Sequence, residues 1–246
     1  MFRSFWQNNI RFHWRLGLLL ILLLGIPRFV IVLQANVTSN YQLIPLIFIT
    51  MILTPFIFLN KEGRKAIGFK KPVNYYLLPV SFLAGIAFCS AMYFTADFFF
   101  QHTFSNWFVY ISKSYAVSKI AIPESDKIMY FIIYSLIGMT LSPIGEEIFY
   151  RGIVHKCFAV KFGDKNASIF DSLAFSLTHL AHFGIVYLSG NWEFLFLPAM
   201  IWLLFMFLAS RLFFTCLQKT GSLSGAILCH SGYNLAMMYF IFYRIL

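Results

Sequence analysis

Apolar windows of about 20 residues recur along most of the chain, and that is the length a helix needs to cross a bilayer. They fall near 16–34, 43–59, 75–99, 128–149, 167–189, 194–217 and 224–243. The pattern predicts an all-α fold, a polytopic transmembrane helical bundle of about seven spans, with six to eight compatible. Only 11% of the 246 residues are charged, against about 25% in a soluble domain. No internal repeat or low-complexity linker divides the chain. It therefore reads as one integral-membrane domain, residues 1–246, with the lipid bilayer as its first partner.

The formal charge of +10 raises nucleic acid as a partner. The basic residues are instead spread over short loops, with no basic face interleaved with aromatics, so no nucleic-acid partner is expected. Charge beside membrane spans is better explained by topology. Arg3, Arg11 and Arg15 precede the first span, and Lys61, Arg64, Lys65, Lys70 and Lys71 follow the second. Lys156, Lys161 and Lys165 follow the fourth, and Lys219 the sixth. The alternate loops hold Lys113, Lys119 and Lys127, offset by Glu124 and Asp126, while residues 35–42 carry no charge. A cytoplasmic N-terminus follows, with an uncleaved first helix and, for seven spans, an external C-terminus. The long loop at 100–127 contains Trp107, Tyr110 and Tyr115, which suits either a segment at the membrane interface or an irregular loop. Cys89, Cys157, Cys216 and Cys229 have neither CxxC nor finger spacing and read as small core residues.

Ionisable side chains inside a span each cost a few kcal/mol, so they are functional candidates by default. Glu146 and Glu147 stand near the cytoplasmic end of span four, in SPIGEEIFYRG, about 100° apart around a helix. Glu147 and Arg151 are four apart and can pair, which leaves Glu146 without a partner on its own helix. His179 sits mid-span in FSLTHLAHF, with His182 three residues on; His230 and Asn234 share a face of the last span. Glu146, His179 and His230 can meet at one depth, toward the cytoplasmic leaflet. A carboxylate in an apolar pocket can serve as a general base, imidazole can share the proton, bind a metal or donate to an oxyanion, and an amide N–H can donate to an oxyanion. Such a set suits hydrolysis of an amide bond. There is no HExxH motif. Arg28, Asp97, Asp171 and Arg211 lie in or near spans and read as structural pairs or snorkelling groups. Pro143 sets the helix geometry ahead of the glutamates by removing a backbone donor.

At these residues the sequence resembles the CPBP family of intramembrane proteases, which includes CAAX prenyl endopeptidases and bacteriocin-processing and self-immunity proteins. The family's EExxxR, FxxxH and HxxxN motifs stand here as EEIFYR (146–151), FSLTH (175–179) and HSGYN (230–234). The resemblance covers residues 128–240, a catalytic core following the N-terminal spans and outer loop of 1–127. It implies a cavity open toward the cytoplasm and membrane. By the family's pattern, Glu146 and His179 activate water, His230 and Asn234 stabilise the oxyanion, and Glu147 with Arg151 is the supporting pair. Glu146, His179 and His230 could equally supply three ligands to a zinc or other divalent metal, with an open fourth position; a metal-free mechanism is the alternative.

The expected function is thus an intramembrane endopeptidase acting on a peptide or membrane-protein substrate near the cytoplasmic face, in a bacterial cell membrane. A non-catalytic scaffold or bacteriocin-immunity protein of the same family is the alternative. A transporter ranks below both, because no repeated halves are visible.

Overall fold

The computed structural model describes residues 1–115 and 123–246; Lys119, counted above in the outer loop, lies outside them. α1 (Trp14–Leu20) passes through a π turn, Ile21–Gly25, into α2 (Ile26–Thr38), giving one apolar helix of 25 residues. α3 (Ile44–Phe58) and the short α4 (Lys61–Ala66) follow, the latter capped by the Asn60 side chain. α5 spans Leu77–Phe100 and α6 Trp107–Ser114. α7 (Glu124–Glu146) runs through a π segment, Glu147–Val154, into α8 (His155–Thr178), which bends at Gly163. After a 3₁₀ turn (His179–Ala181), β1 (Ile185–Leu188) and β2 (Asn191–Phe194) make an antiparallel hairpin pairing Ile185 with Phe194. α9 (Phe196–Thr220) and α10 (Leu223–Phe240) complete the bundle.

The protein is an all-α integral-membrane bundle. Trp14–Thr38, Leu77–Phe100, Glu124–Ala181 and Phe196–Thr220 are each long and apolar enough to cross a bilayer. The fifth expected span is corrected. Its helix ends at Thr178, and residues 185–194 form the hairpin instead. Gly184 (φ 115°) and Gly190 (φ 87°) are the cause, because glycine alone enters this region without strain. His179 is accordingly at a helix end and not at mid-span. Glu146 is corrected in the opposite sense: the helix it was expected to end continues through the π segment to the bend at Gly163.

Two of the outer-loop aromatics, Trp107 and Tyr110, are packed in the core on and around α6. Trp107 is fully buried against Phe183, Trp202 and Phe205. The Tyr110 hydroxyl accepts from the Tyr187 N–H at 2.8 Å, joining α6 to the hairpin. The large apolar area of the two rings favours burial; the Tyr110 hydroxyl is bonded there, while Trp107 Nε1–H finds no partner among the described residues. The four cysteines are free and buried, as expected.

Two ends of the bundle can be told apart by their bonds. At one, the N-terminal arm meets the end of α3 (Asn60 N–H to the Met1 carbonyl, 3.1 Å), and residue 73 meets the end of α9 (Val73 N–H to the Thr220 carbonyl, 2.8 Å). Gly17 abuts Cys157 and Phe158, which brings the Gly163 bend to the same end. At the other, Tyr41 donates to Ser114 at 2.8 Å, and Lys127 lies over the Tyr243 ring. Burial holds the Tyr41 hydroxyl up at about 12, so it remains a neutral donor there.

α5 and α10 cross in the middle of the bundle, where their backbones nearly touch. A Cβ on Gly85 would collide with the Cys229 carbonyl, and one on Gly232 with the Phe82 carbonyl. In a membrane, where helices gain little from hydrophobic association, such close packing supplies the attraction. Gly85→Ala and Gly232→Ala are each expected to destabilise by about 1–3 kcal/mol through overpacking. Gly138→Ala, with open space at its Cβ, should not. Unfolding midpoints in detergent test the contrast.

Candidate active site

Glu146 and Glu147 are both fully buried, and each meets a different cation. Arg28, from α2, donates through Nη2 to Glu146 Oε1 at 2.7 Å and through Nη1 to Thr178 Oγ1 at 2.9 Å. Ser142, one turn earlier on α7, adds a hydroxyl at 3.2 Å to the same Oε1. Glu147 Oε2 lies 3.1 Å from Arg151 Nε, the pair that the i, i+4 spacing predicted. Its Oε1 accepts from His230 Nδ1 at 2.8 Å. Arg151 also donates to Ser210 on α9 at 2.6 Å, and its guanidinium lies 4.4 Å from the Phe175 ring centroid. The second motif's phenylalanine thus packs against the charge cluster, a cation–π contact.

His179 reaches the same carboxylate from the end of α8. Its Nδ1–H donates to the Phe175 carbonyl at 2.7 Å. That bond fixes the tautomer, so the Nε2 lone pair faces Arg28 at 3.4 Å and Glu146 Oε2 at 3.9 Å. Among the described residues nothing donates to Glu146 Oε2. Trp202 Nε1–H donates to the His179 carbonyl at 2.9 Å and steadies the turn. The His182 ring is 5.5 Å from that of His179, and both line one cavity.

Asn234 is on the same cavity wall, with its amide already committed in part: Nδ2–H donates to the Gly138 carbonyl at 2.7 Å. Pro143 explains this. It has no N–H for the carbonyl of Met139, four residues back, and its ring crowds that turn. Ser231 on α10 donates to the Met139 carbonyl at 2.6 Å. Side chains from a neighbouring helix re-satisfy the opened backbone, as a bilayer requires.

The cavity holds about 750 Å³. Arg28, His179, His230 and Phe213 form its floor, and its walls run along α7 and α10 to a rim at Ser39–Gln42 and Tyr115. The rim belongs to the end of the bundle away from the N-terminal arm.

The expected ligand set of Glu146, His179 and His230 does not suit a metal as arranged. Arg28 occupies the space beside Glu146 and His179, where a second cation would be repelled. Among the described residues no three His, Cys, Asp or Glu side chains converge as ligands.

Arg28 is the site residue that the sequence motifs missed. Removing one partner of a buried pair leaves an uncompensated charge and costs about 3–5 kcal/mol. Arg28→Met is expected to lower stability by that order and to abolish activity. Arg28→Met with Glu146→Gln should regain most of the stability and none of the activity. Detergent unfolding with a peptide-release assay separates the two.

No curated protein and no solved structure matches the chain. A family model does, the type II CAAX prenyl endopeptidase Rce1-like model, over residues 128–236. That range contains all three motifs, both glutamates, His179, His230 and Asn234, and leaves Arg28 outside. Residues 128–236 are thus similar to the Rce1-like type II CAAX prenyl endopeptidase domain, which belongs to the CPBP/CAAX protease group that the motifs resemble.

Proposed function

We propose that the protein is an intramembrane endopeptidase that uses Glu146 and His179 to activate a water molecule and needs no metal to do so. The observation that carries this reading is the meeting of Glu146 Oε2, to which nothing among the described residues donates, with His179 Nε2 at 3.9 Å, beside the cavity that His179 lines. One water can donate to both at ordinary hydrogen-bond lengths. Its oxygen attacks the peptide carbonyl carbon and the C–N bond breaks. One proton passes to Glu146 and then to the leaving amine while the other stays on the attacking oxygen, giving a carboxylic acid and an amine.

Arg28 keeps Glu146 in place through the 2.7 Å bond to Oε1. The developing oxyanion falls to His230 and Asn234. His230 gives Nδ1–H to Glu147, so an Nε2–H for the oxyanion requires both ring nitrogens to carry protons. Asn234 has one N–H beyond that bonded to Gly138. The non-catalytic scaffold or immunity role remains the alternative, with no observation of its own in favour.

Glu146→Gln and His179→Ala should each abolish peptide release, His179→Ala with the protein folded and Glu146→Gln with the loss of stability that breaking the Arg28 pair brings. Full activity of both on a demonstrated substrate would sink the proposal. His230→Ala and Asn234→Ala should each lower kcat by about 10²–10³-fold, the usual loss for an oxyanion donor. Activity of the chelator-washed protein should match that of untreated protein; restoration by added zinc alone would favour a metal site.

A further inference from the structure

α8 folds back on itself at Gly163, where φ is 73°. His155 on the first limb meets Asp171 on the second at 2.8 Å. Phe158 and Phe162 of the first limb pack on Phe170 of the second, with ring centroids 5.6 Å and 5.1 Å apart. The helix that runs from α1 through the π turn into α2 lies against both limbs, with Gly17 on Cys157 and Phe158, and Gly25 on Thr178. Between them runs a groove of about 700 Å³ that shares no lining residue with the cavity of the active site.

The groove is apolar along its length. Leu18, Leu22 and Phe29 form one wall, and Leu173, Leu177 and Leu180 the other. The Thr178 hydroxyl in the lining is already engaged with Arg28 and the Phe175 carbonyl. Leu18, Leu22, Leu173 and Leu177 are between 43% and 51% exposed, so the groove opens sideways, where a membrane helix meets lipid.

Charge stands at one end only. Trp14 closes that end, with the Lys161 ammonium 5.2 Å and the Arg15 guanidinium 5.5 Å from its ring. Lys161 is also 5.2 Å from the Phe162 ring. Among the described residues neither cation has a carboxylate within ion-pair distance. Tryptophan favours the headgroup level, and long basic side chains reach toward it. From residue 14 to residue 29 the helix rises about 22 Å at 1.5 Å per residue. One leaflet with its headgroups is about as thick, roughly 20–22 Å.

We infer that this groove binds one anionic phospholipid. Its phosphate lies on Arg15 and Lys161, and an acyl chain lies along α1, the π turn and α2, against the second limb of α8. A zwitterionic lipid fits the apolar walls equally well, but its own ammonium group offsets the phosphate, so the two cations choose between the lipids. The inner end of the groove reaches Thr178, one residue before His179, so an occupied groove braces the helix end that carries the site. The inference does not depend on the peptidase reading.

The test uses the full chain, freed of lipid in detergent, with native mass spectrometry counting bound molecules. The probes are dioleoyl phosphatidylglycerol, dioleoyl phosphatidylcholine and inorganic phosphate. One phosphatidylglycerol per chain is expected, held about 25-fold more tightly than phosphatidylcholine, because each basic side chain beside an anionic headgroup contributes about fivefold. Arg15→Gln with Lys161→Gln should remove that preference. Lys65→Gln with Lys71→Gln, whose side chains lie outside the groove, should keep it. Leu22→Trp, which fills the groove, should weaken both lipids. All five positions are exposed, and unfolding midpoints check that the variants stay folded. Equal binding of the two lipids by the unaltered protein overturns the inference, as does an equal loss in the two double variants, which would mark a general attraction to the basic end. Displacement of phosphatidylglycerol by inorganic phosphate, or full binding by Leu22→Trp, also overturns it, because the ligand would then be held without the groove.

Discussion

Two adjacent carboxylates buried in a bundle of apolar helices can stay charged only if each finds its own cation. Neighbouring residues on a helix point about 100° apart, so one cation cannot serve both. Glu146 turns to α2 and takes Arg28; Glu147 turns to its own next turn and takes Arg151, with His230 of α10 on its other oxygen. Arg151 then reaches Ser210 on α9. This single requirement of charge compensation ties α2, the α7–π segment, α9 and α10 around one point. The catalytic geometry and the packing of the core are the same set of bonds.

The sequence displayed most of the bundle because length and apolarity alone mark a span, and those are local properties. It failed where a local property gave the wrong sign. The run FGIVYLSG is as apolar as a helix end, yet Gly184 and Gly190 with β-branched Ile185 and Val186 turn it into a hairpin. Trp107 and Tyr110 suited an interfacial segment or an irregular loop equally, because aromatic content carries no information on burial. The motifs were legible since Glu147–Arg151 and His230–Asn234 are one helical turn apart. Arg28 was not, being separated from Glu146 by 118 positions. The available signal was physical: a carboxylate with no partner on its own helix and an arginine in mid-span each demanded an opposite charge.

Pro143 links the backbone to this chemistry. A proline in a membrane helix frees carbonyls that must be bonded again, and here Ser231 and Asn234 bond those of Met139 and Gly138. Asn234 is therefore shared between closing the opened turn of α7 and facing the cavity. The anchored amide is held by α7 itself, so the N–H left for the substrate is fixed relative to Glu146 on the same helix. Such fixing suits oxyanion donors, which act through preorganisation more than through strength.

The pairs also decide how a proton can move. With Arg28 on Glu146 and Arg151 on Glu147, the four charges sum to zero, so the floor is polar without carrying net charge into an apolar surround. A proton taken from water by Glu146 would leave Arg28 uncompensated, a state the low dielectric disfavours. His179 Nε2, 3.4 Å from Arg28 and 3.9 Å from Glu146, is the acceptor that can share that proton, but at the cost of a cation beside a guanidinium. Both routes are uphill until the leaving amine takes the proton, and the developing oxyanion is the negative charge that Arg28 lacks in the interval. On the peptidase reading proposed above, the arrangement favours the tetrahedral intermediate over either protonated resting state, because only with the oxyanion present does the floor return to neutrality.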